Sequence, residues 1–146
     1  MELKASELRI GNLVDYLCED KLDDRQEWYE PTVIDWQDIK YLSEKEVRNK
    51  GLVPDGPVRE HYKPIPITED WLLKLGFVRS NNPDLLFFSI PMLHIEIHAE
   101  KYRGRYVIQL ANHIKPIVTE IEFVHQLQNL IYALSGTELT LTDKTN

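Results

Sequence analysis

Leu93-His94-Ile95-Glu96-Ile97-His98-Ala99-Glu100, answered after Gly104 by Arg105-Tyr106-Val107-Ile108-Gln109-Leu110, is the stretch that decides the fold. Leu93, Ile95, Ile97 and Ala99 alternate with His94, Glu96, His98 and Glu100; on the return Tyr106, Ile108 and Leu110 alternate with Arg105, Val107 and Gln109. A period of two is the mark of a strand with one buried and one wetted face, and the turn at Gly104 predicts an antiparallel hairpin. Downstream, Val124, Leu127, Ile131 and Leu134 fall at helical spacing, which predicts a helix from about Glu122 to Ser135 capped by Gly136, its stripe covering the apolar side of the hairpin. A strand-like run, Leu139-Thr140-Leu141, follows. Upstream, Leu85 to Ile90 is nearly all apolar and predicts a strand buried on both faces, ended by Pro91 and preceded by an Asn81-Asn82-Pro83-Asp84 turn. Before it Thr68 is placed to cap a helix from Glu69 to Leu75, with Gly76 as its stop.

The two prolines of Lys63-Pro64-Ile65-Pro66 remove amide donors and hold their neighbours extended, so a boundary is expected there, between a small β-rich domain, 1–63, and an α+β domain, 64–146. Charge divides in the same place. Residues 1–60 carry 15 acidic and 9 basic side chains, whereas 61–146 carry 9 and 8. In the first domain Gly11-Asn12 reads as a turn into a strand from Leu13 to Tyr16, and a second strand is predicted from Tyr29 to Trp36. Glu19 to Glu27 between them is too charged to bury; it lacks the alternate ligands, central Gly and closing Glu of a calcium loop and reads as an exposed connection. Ser43 with Glu46 three later forms a capping box for one short helix ended by Gly51. The expectation is therefore an α+β chain: a small, half-open barrel-like part, then helix, antiparallel strands and a closing helix.

At 146 residues, with 42% apolar and 28% charged side chains, the chain suits one compact domain or two small ones and is too short for a barrel enzyme of about 250 residues. A net charge of −7 argues against broad nucleic-acid binding and against an anionic membrane surface. No window approaches the roughly 18 apolar residues of a membrane span, and Met1 to Glu7 has no apolar run after a basic start, so a cytoplasmic protein is expected. Cys18 is the single cysteine; neighbouring Asp15, Glu19 and Asp20 would raise its pKa and suppress the thiolate.

Three constellations could carry chemistry. His94, Glu96 and His98 are a ligand set suited to zinc or iron, but residues four apart on a strand are separated by about 13 Å, so a site would need His113, His61 or a neighbouring acid to complete it. Their other reading is the wet side of an antiparallel sheet, facing Arg105 and Gln109. Lys101-Tyr102-Arg103-Gly104-Arg105-Tyr106 is the densest basic and aromatic stretch: Arg offers a planar fork to phosphate and Tyr a stacking face to a base, while a charged tip that blocks edge association has the same composition. His125, Gln128, Asn129 and Tyr132 form a polar strip along the last helix, opposite its apolar stripe, suited to reading a base edge or a partner backbone, or to satisfying sheet carbonyls. Trp28, Tyr29, Trp36 and Tyr41 either fill the first core, the expectation for Trp36, or expose a binding face. There is no GxSxG, P-loop, GxGxxG or HExxH pattern, so no reaction class is favoured and no cofactor is implied.

Glu7-Leu8-Arg9-Ile10-Gly11-Asn12, the run from Pro64 through Thr68-Glu69-Asp70-Trp71-Leu72-Leu73 to Phe77, and Val124-His125-Gln126-Leu127-Gln128-Asn129-Leu130 through Gly136-Thr137-Glu138-Leu139 together resemble a family of small uncharacterised proteins of Bacteroides-type bacteria, their prophages and phages. The chain departs from that pattern at Ile131, where an aromatic is expected, at Ser135, where Thr is expected, and in its longer acidic loop. The resemblance implies a mobile-element accessory protein of the bacterial cytoplasm and brings no catalytic residues. The expected function is a non-catalytic binding or adaptor protein whose partner is a small phosphate-bearing ligand or a host protein. Lys101, Tyr102, Arg103, Arg105, His125, Gln128 and Asn129 are its candidate contacts. The alternative is a small metal-dependent hydrolase built on His94, Glu96 and His98. An uncovered hairpin edge would favour a homodimer.

Overall fold

A computed structural model describes residues 3–19, 27–49, 62–82, 84–90, 95–102, 105–111 and 117–142. The chain divides into two compact units, Met1–Ile65 and Pro66–Asn146. Both are mixed α and β with antiparallel sheets, and neither sheet closes into a barrel.

In the first unit a short 3₁₀ turn, Ala5–Glu7, leads to β1 (Leu13–Glu19), β2 (Glu27–Val33), α1 (Trp36–Asn49) and β3 (Tyr62–Lys63). The strands form an open sheet in the order β2-β1-β3. Pro31, which has no amide proton, sits in β2 opposite Asp15, where an edge strand tolerates it. Two features differ from the sequence reading. The second strand stops at Val33, and the 14-residue helix starts at Trp36 instead of near Ser43. The cause is a capping box about two turns earlier than expected. Asp35 Oδ1 accepts from the amides of Gln37 and Asp38, at 2.7 and 3.0 Å, while Asp38 Oδ2 accepts from the Asp35 amide at 2.8 Å, so the orphan donors of the first turn are met there. Ser43 is then mid-helix, and its hydroxyl donates to the Ile39 carbonyl at 2.8 Å. Trp36, expected in the core, is 59% exposed. The core is instead Leu3, Leu8, Val14, Ile34 and Leu42, with Ala5, Ile39 and Tyr62 packed against it; each Leu or Ile fully buried in this way contributes roughly 1.5–3 kcal/mol.

The second unit contains α2 (Glu69–Lys74), β4 (Val78–Arg79), β5 (Leu85–Ile90), β6 (Ile95–Tyr102), β7 (Arg105–Ala111), β8 (Ile117–Glu120) and α3 (Val124–Ser135). The strands are neighbours in chain order, β4-β5-β6-β7-β8, an antiparallel meander. β6 and β7 are the expected hairpin, paired from Glu96↔Ala111 to Tyr102↔Arg105. They lie inside the sheet, flanked by β5 and β8, so the hairpin leaves no uncovered edge strand to favour a homodimer. β5 is not buried throughout: Leu86 is buried, but Leu85 and Phe87 are only partly so. Thr68 caps α2 through the Trp71 amide at 3.3 Å, and Gly76, at φ 91°, allows the left-handed exit that ends it. Gly136, at φ 67°, does the same for α3 and donates to the Tyr132 carbonyl. Leu139 to Leu141 is not a strand. It belongs to an extended strap: Thr142 donates through both amide and hydroxyl to the Lys74 carbonyl, at 2.8 and 2.9 Å, and Leu139 is buried. No helix among the described residues is long and apolar enough to cross a membrane.

Candidate functional site

The residues singled out in the sequence lie at the hairpin turn, along α3 and in β6. At the hairpin turn Lys101 and Arg105 are exposed, Tyr102 is the last residue of β6, and Arg103 lies outside the described residues. Arg105 is already engaged: one guanidinium nitrogen lies 3.6 Å from Glu120 and 3.4 Å from Glu122, an arrangement that offsets its charge toward any phosphate. On α3 the expected polar strip does not lie opposite the apolar stripe. His125 and Gln128 are each 1% exposed and share the buried side with Val124, Leu127 and Ile131. Gln128 Nε2 donates to the Leu139 carbonyl at 2.9 Å, and the His125 ring stacks on Phe123 with centroids 5.9 Å apart. Asn129 is half-buried. Gln128 thus ties the strap to the helix.

The metal candidates are partly within view. His94, His61 and His113 lie outside the described residues; Glu96 is placed in β6 between Ser89 and Ala111. His98 is half-buried, set edge-on to Phe87 at 4.6 Å and opposite Gln109, whose amide donates to Glu100 at 2.9 Å. Among the described residues no three His, Cys, Asp or Glu side chains converge as metal ligands would.

What the structure does bring together is a face of the first unit. The register pairs Tyr16 with Glu30 on one side and with Tyr62 on the other, and Cys18 with Trp28; with Val14 and Thr32 these residues share one side of the sheet, since alternate residues point the same way. At the Val14 end that side carries the core. Beyond it the side chains open to solvent. Tyr16 and Tyr62 are in ring contact at 5.2 Å, and Tyr41 of α1 joins Tyr62 at 6.2 Å. Trp28 donates its indole proton to Glu30 at 2.7 Å, and the Tyr62 phenol donates to Asp38 at 2.6 Å. Tyr16 is 39% exposed, Trp28 41% and Tyr41 43%, too open for core residues. The result is a continuous strip, Tyr41-Tyr62-Tyr16-Glu30-Trp28, in which two carboxylates are oriented by aromatic donors. On the opposite side of the sheet Lys63 lies 3.9 Å over the Tyr29 ring.

Electrostatics reinforce this picture. Burial, then the hydrogen bond and charge of Asp38, push the Tyr62 phenol well above the usual tyrosine range, so Tyr62 stays a donor at neutral pH. Desolvation, then the charge and hydrogen bond of Glu30, push the Cys18 thiol up. Burial also raises Asp15, with Lys63 acting against the shift.

Of the sequence signals, the choice left open for Trp28 and Tyr41 pointed here, while Tyr16 and Tyr62 carried none: only pairing puts them side by side. No family model matches the chain, and no curated protein or solved structure matches it.

Proposed function

We propose that this is a non-catalytic binding protein that docks a protein partner on the aromatic face of its first unit. One observation carries the reading: Tyr16, Trp28 and Tyr41 are held exposed and next to one another through Tyr62 and Glu30. Leaving aromatic area in water forgoes the gain of burying it, and tyrosine and tryptophan supply large, stiff contact area at low entropic cost, which makes them the commonest energetic anchors of protein interfaces. The hydrogen bonds to Glu30 and Asp38 pre-set the Trp28 and Tyr62 rings, which lowers the ordering cost of binding. A phosphate-bearing ligand at the Lys101 to Arg105 turn is less well supported, because Glu120 and Glu122 already attend Arg105.

The test is selection of random peptides on the intact protein. Selected peptides should lose binding to Trp28→Ala and Tyr16→Ala variants whose circular dichroism is unchanged. Peptides that bind both variants as well as the wild type would show that the face is not the docking site.

A further inference from the structure

We infer that the occupant of this face is an arginine-bearing protein segment. The inference rests on the docking reading above and adds the chemistry of the partner. Three features lead to it.

The first is the kind of surface offered. Tyr16 and Trp28 are partly open rings, and a guanidinium stacks on such a ring as a planar, weakly hydrated cation, attracted by the negative π face. The second is the position of the acids. Glu30 stands opposite Tyr16 in register and accepts the indole proton of Trp28, so its carboxylate lies at the edge of the Trp28 ring; Asp38 stands at the other end, held by Tyr62. A cation lying on the Trp28 ring therefore meets an anion at the ring edge, and arginine alone joins a stacking face to a fork of donors that matches a carboxylate. The third is that, among the described residues, neither Glu30 nor Asp38 has a Lys or Arg ion-pair partner. The strand register places no Lys or Arg on this side of the described strands, Lys63 being on the other, and residues 1–60 as a whole carry 15 acidic against 9 basic side chains. The potential there draws a basic segment in and turns nucleic acid and anionic lipid away. Arg105 is met by carboxylates of its own unit, whereas among the described residues Glu30 meets the indole and the thiol beside it.

Titration calorimetry of the whole protein with three acetylated peptides of one length tests the inference; each peptide carries two arginines, two lysines or two glutamates around a single leucine. The arginine peptide should bind, the lysine peptide should bind about threefold to fivefold more weakly, and the glutamate peptide should not bind. Glu30→Gln should weaken the arginine peptide by about the same factor and Trp28→Ala should remove it. Equal binding of arginine and lysine peptides with no effect of Glu30→Gln would overturn the inference, as would Trp28-dependent binding of the glutamate peptide. If none of the three binds while library-selected peptides bind through Trp28, the arginine chemistry fails and the docking reading survives. If nothing binds through Trp28, both fail.

Discussion

The phenol of Tyr62 donates a 2.6 Å hydrogen bond to Asp38 across 24 residues of chain, and the same Asp38 carboxylate closes the first turn of α1 by accepting from the Asp35 amide. One side chain thus joins a helix start to the short edge strand β3 and holds the middle ring of the aromatic strip. Tyr62→Phe is expected to lower stability by about 1–2 kcal/mol at neutral pH, the usual worth of a hydrogen bond to a charged acceptor that is partly exposed.

The same bond gives an alkaline signature. In the unfolded chain a tyrosine ionises near pH 10, while Tyr62 in the folded state ionises higher. Below about pH 10 both states are protonated and the contribution is constant; above it the unfolded state loses its proton first, so stability falls as pH rises. Urea unfolding at pH 7 and at about pH 10.5 should show the gap between wild type and Tyr62→Phe narrowing at the higher pH. A gap that widens would contradict the assignment.

Cys18 is raised by desolvation and by Glu30, and only the thiolate is nucleophilic. Iodoacetamide at pH 8 should alkylate it more slowly than it alkylates glutathione, and Glu30→Gln should speed the reaction. Equal rates for the wild type and the variant would show that Glu30 does not govern the thiol.

Leu139 is buried in the strap that Gln128 and Thr142 tie down. Leu139→Ala should lower the unfolding free energy by about 2–4 kcal/mol, as large-to-small core changes do, whereas Thr140→Ala, at an exposed position, should stay within about 0.5 kcal/mol. Matching effects in denaturant titrations would mean that the tail is not part of the core.

Arg105, Glu120 and Glu122 are all exposed, so Arg105→Ala should change stability by less than about 1 kcal/mol. Because those carboxylates attend the guanidinium, a nucleoside triphosphate should leave the melting temperature unchanged. A rise that vanishes in Arg105→Ala would restore the hairpin turn as a ligand site.

How far the sequence discloses this architecture depends on the range of the forces involved. The β6–β7 hairpin and α2 were legible because strict alternation, Thr68 and Gly76 are local signals that no distant contact overrules. The start of α1 is not legible in the same way, because Ser43-x-x-Glu46 and Asp35-x-x-Asp38 are both plausible caps, and only the packing of Ile39 and Leu42 onto the core selects the earlier one. Gln128 stands four residues after Val124 and three before Ile131, within the stripe, yet its polarity points to the outer side of α3; it is buried because a carbonyl of the strap accepts its amide proton. The aromatic strip was the least legible feature. Tyr16, Trp28, Tyr41 and Tyr62 come from four elements, and no pattern along the chain reports a register.

The most direct test of the docking face is a nuclear magnetic resonance titration of the whole protein with the two-arginine peptide. Backbone and indole shifts should gather at Tyr16, Cys18, Trp28, Glu30, Tyr41 and Tyr62 and leave Lys101 and Arg105 unmoved. Shifts confined to the second unit, or spread evenly over every acidic residue of the first, would contradict it.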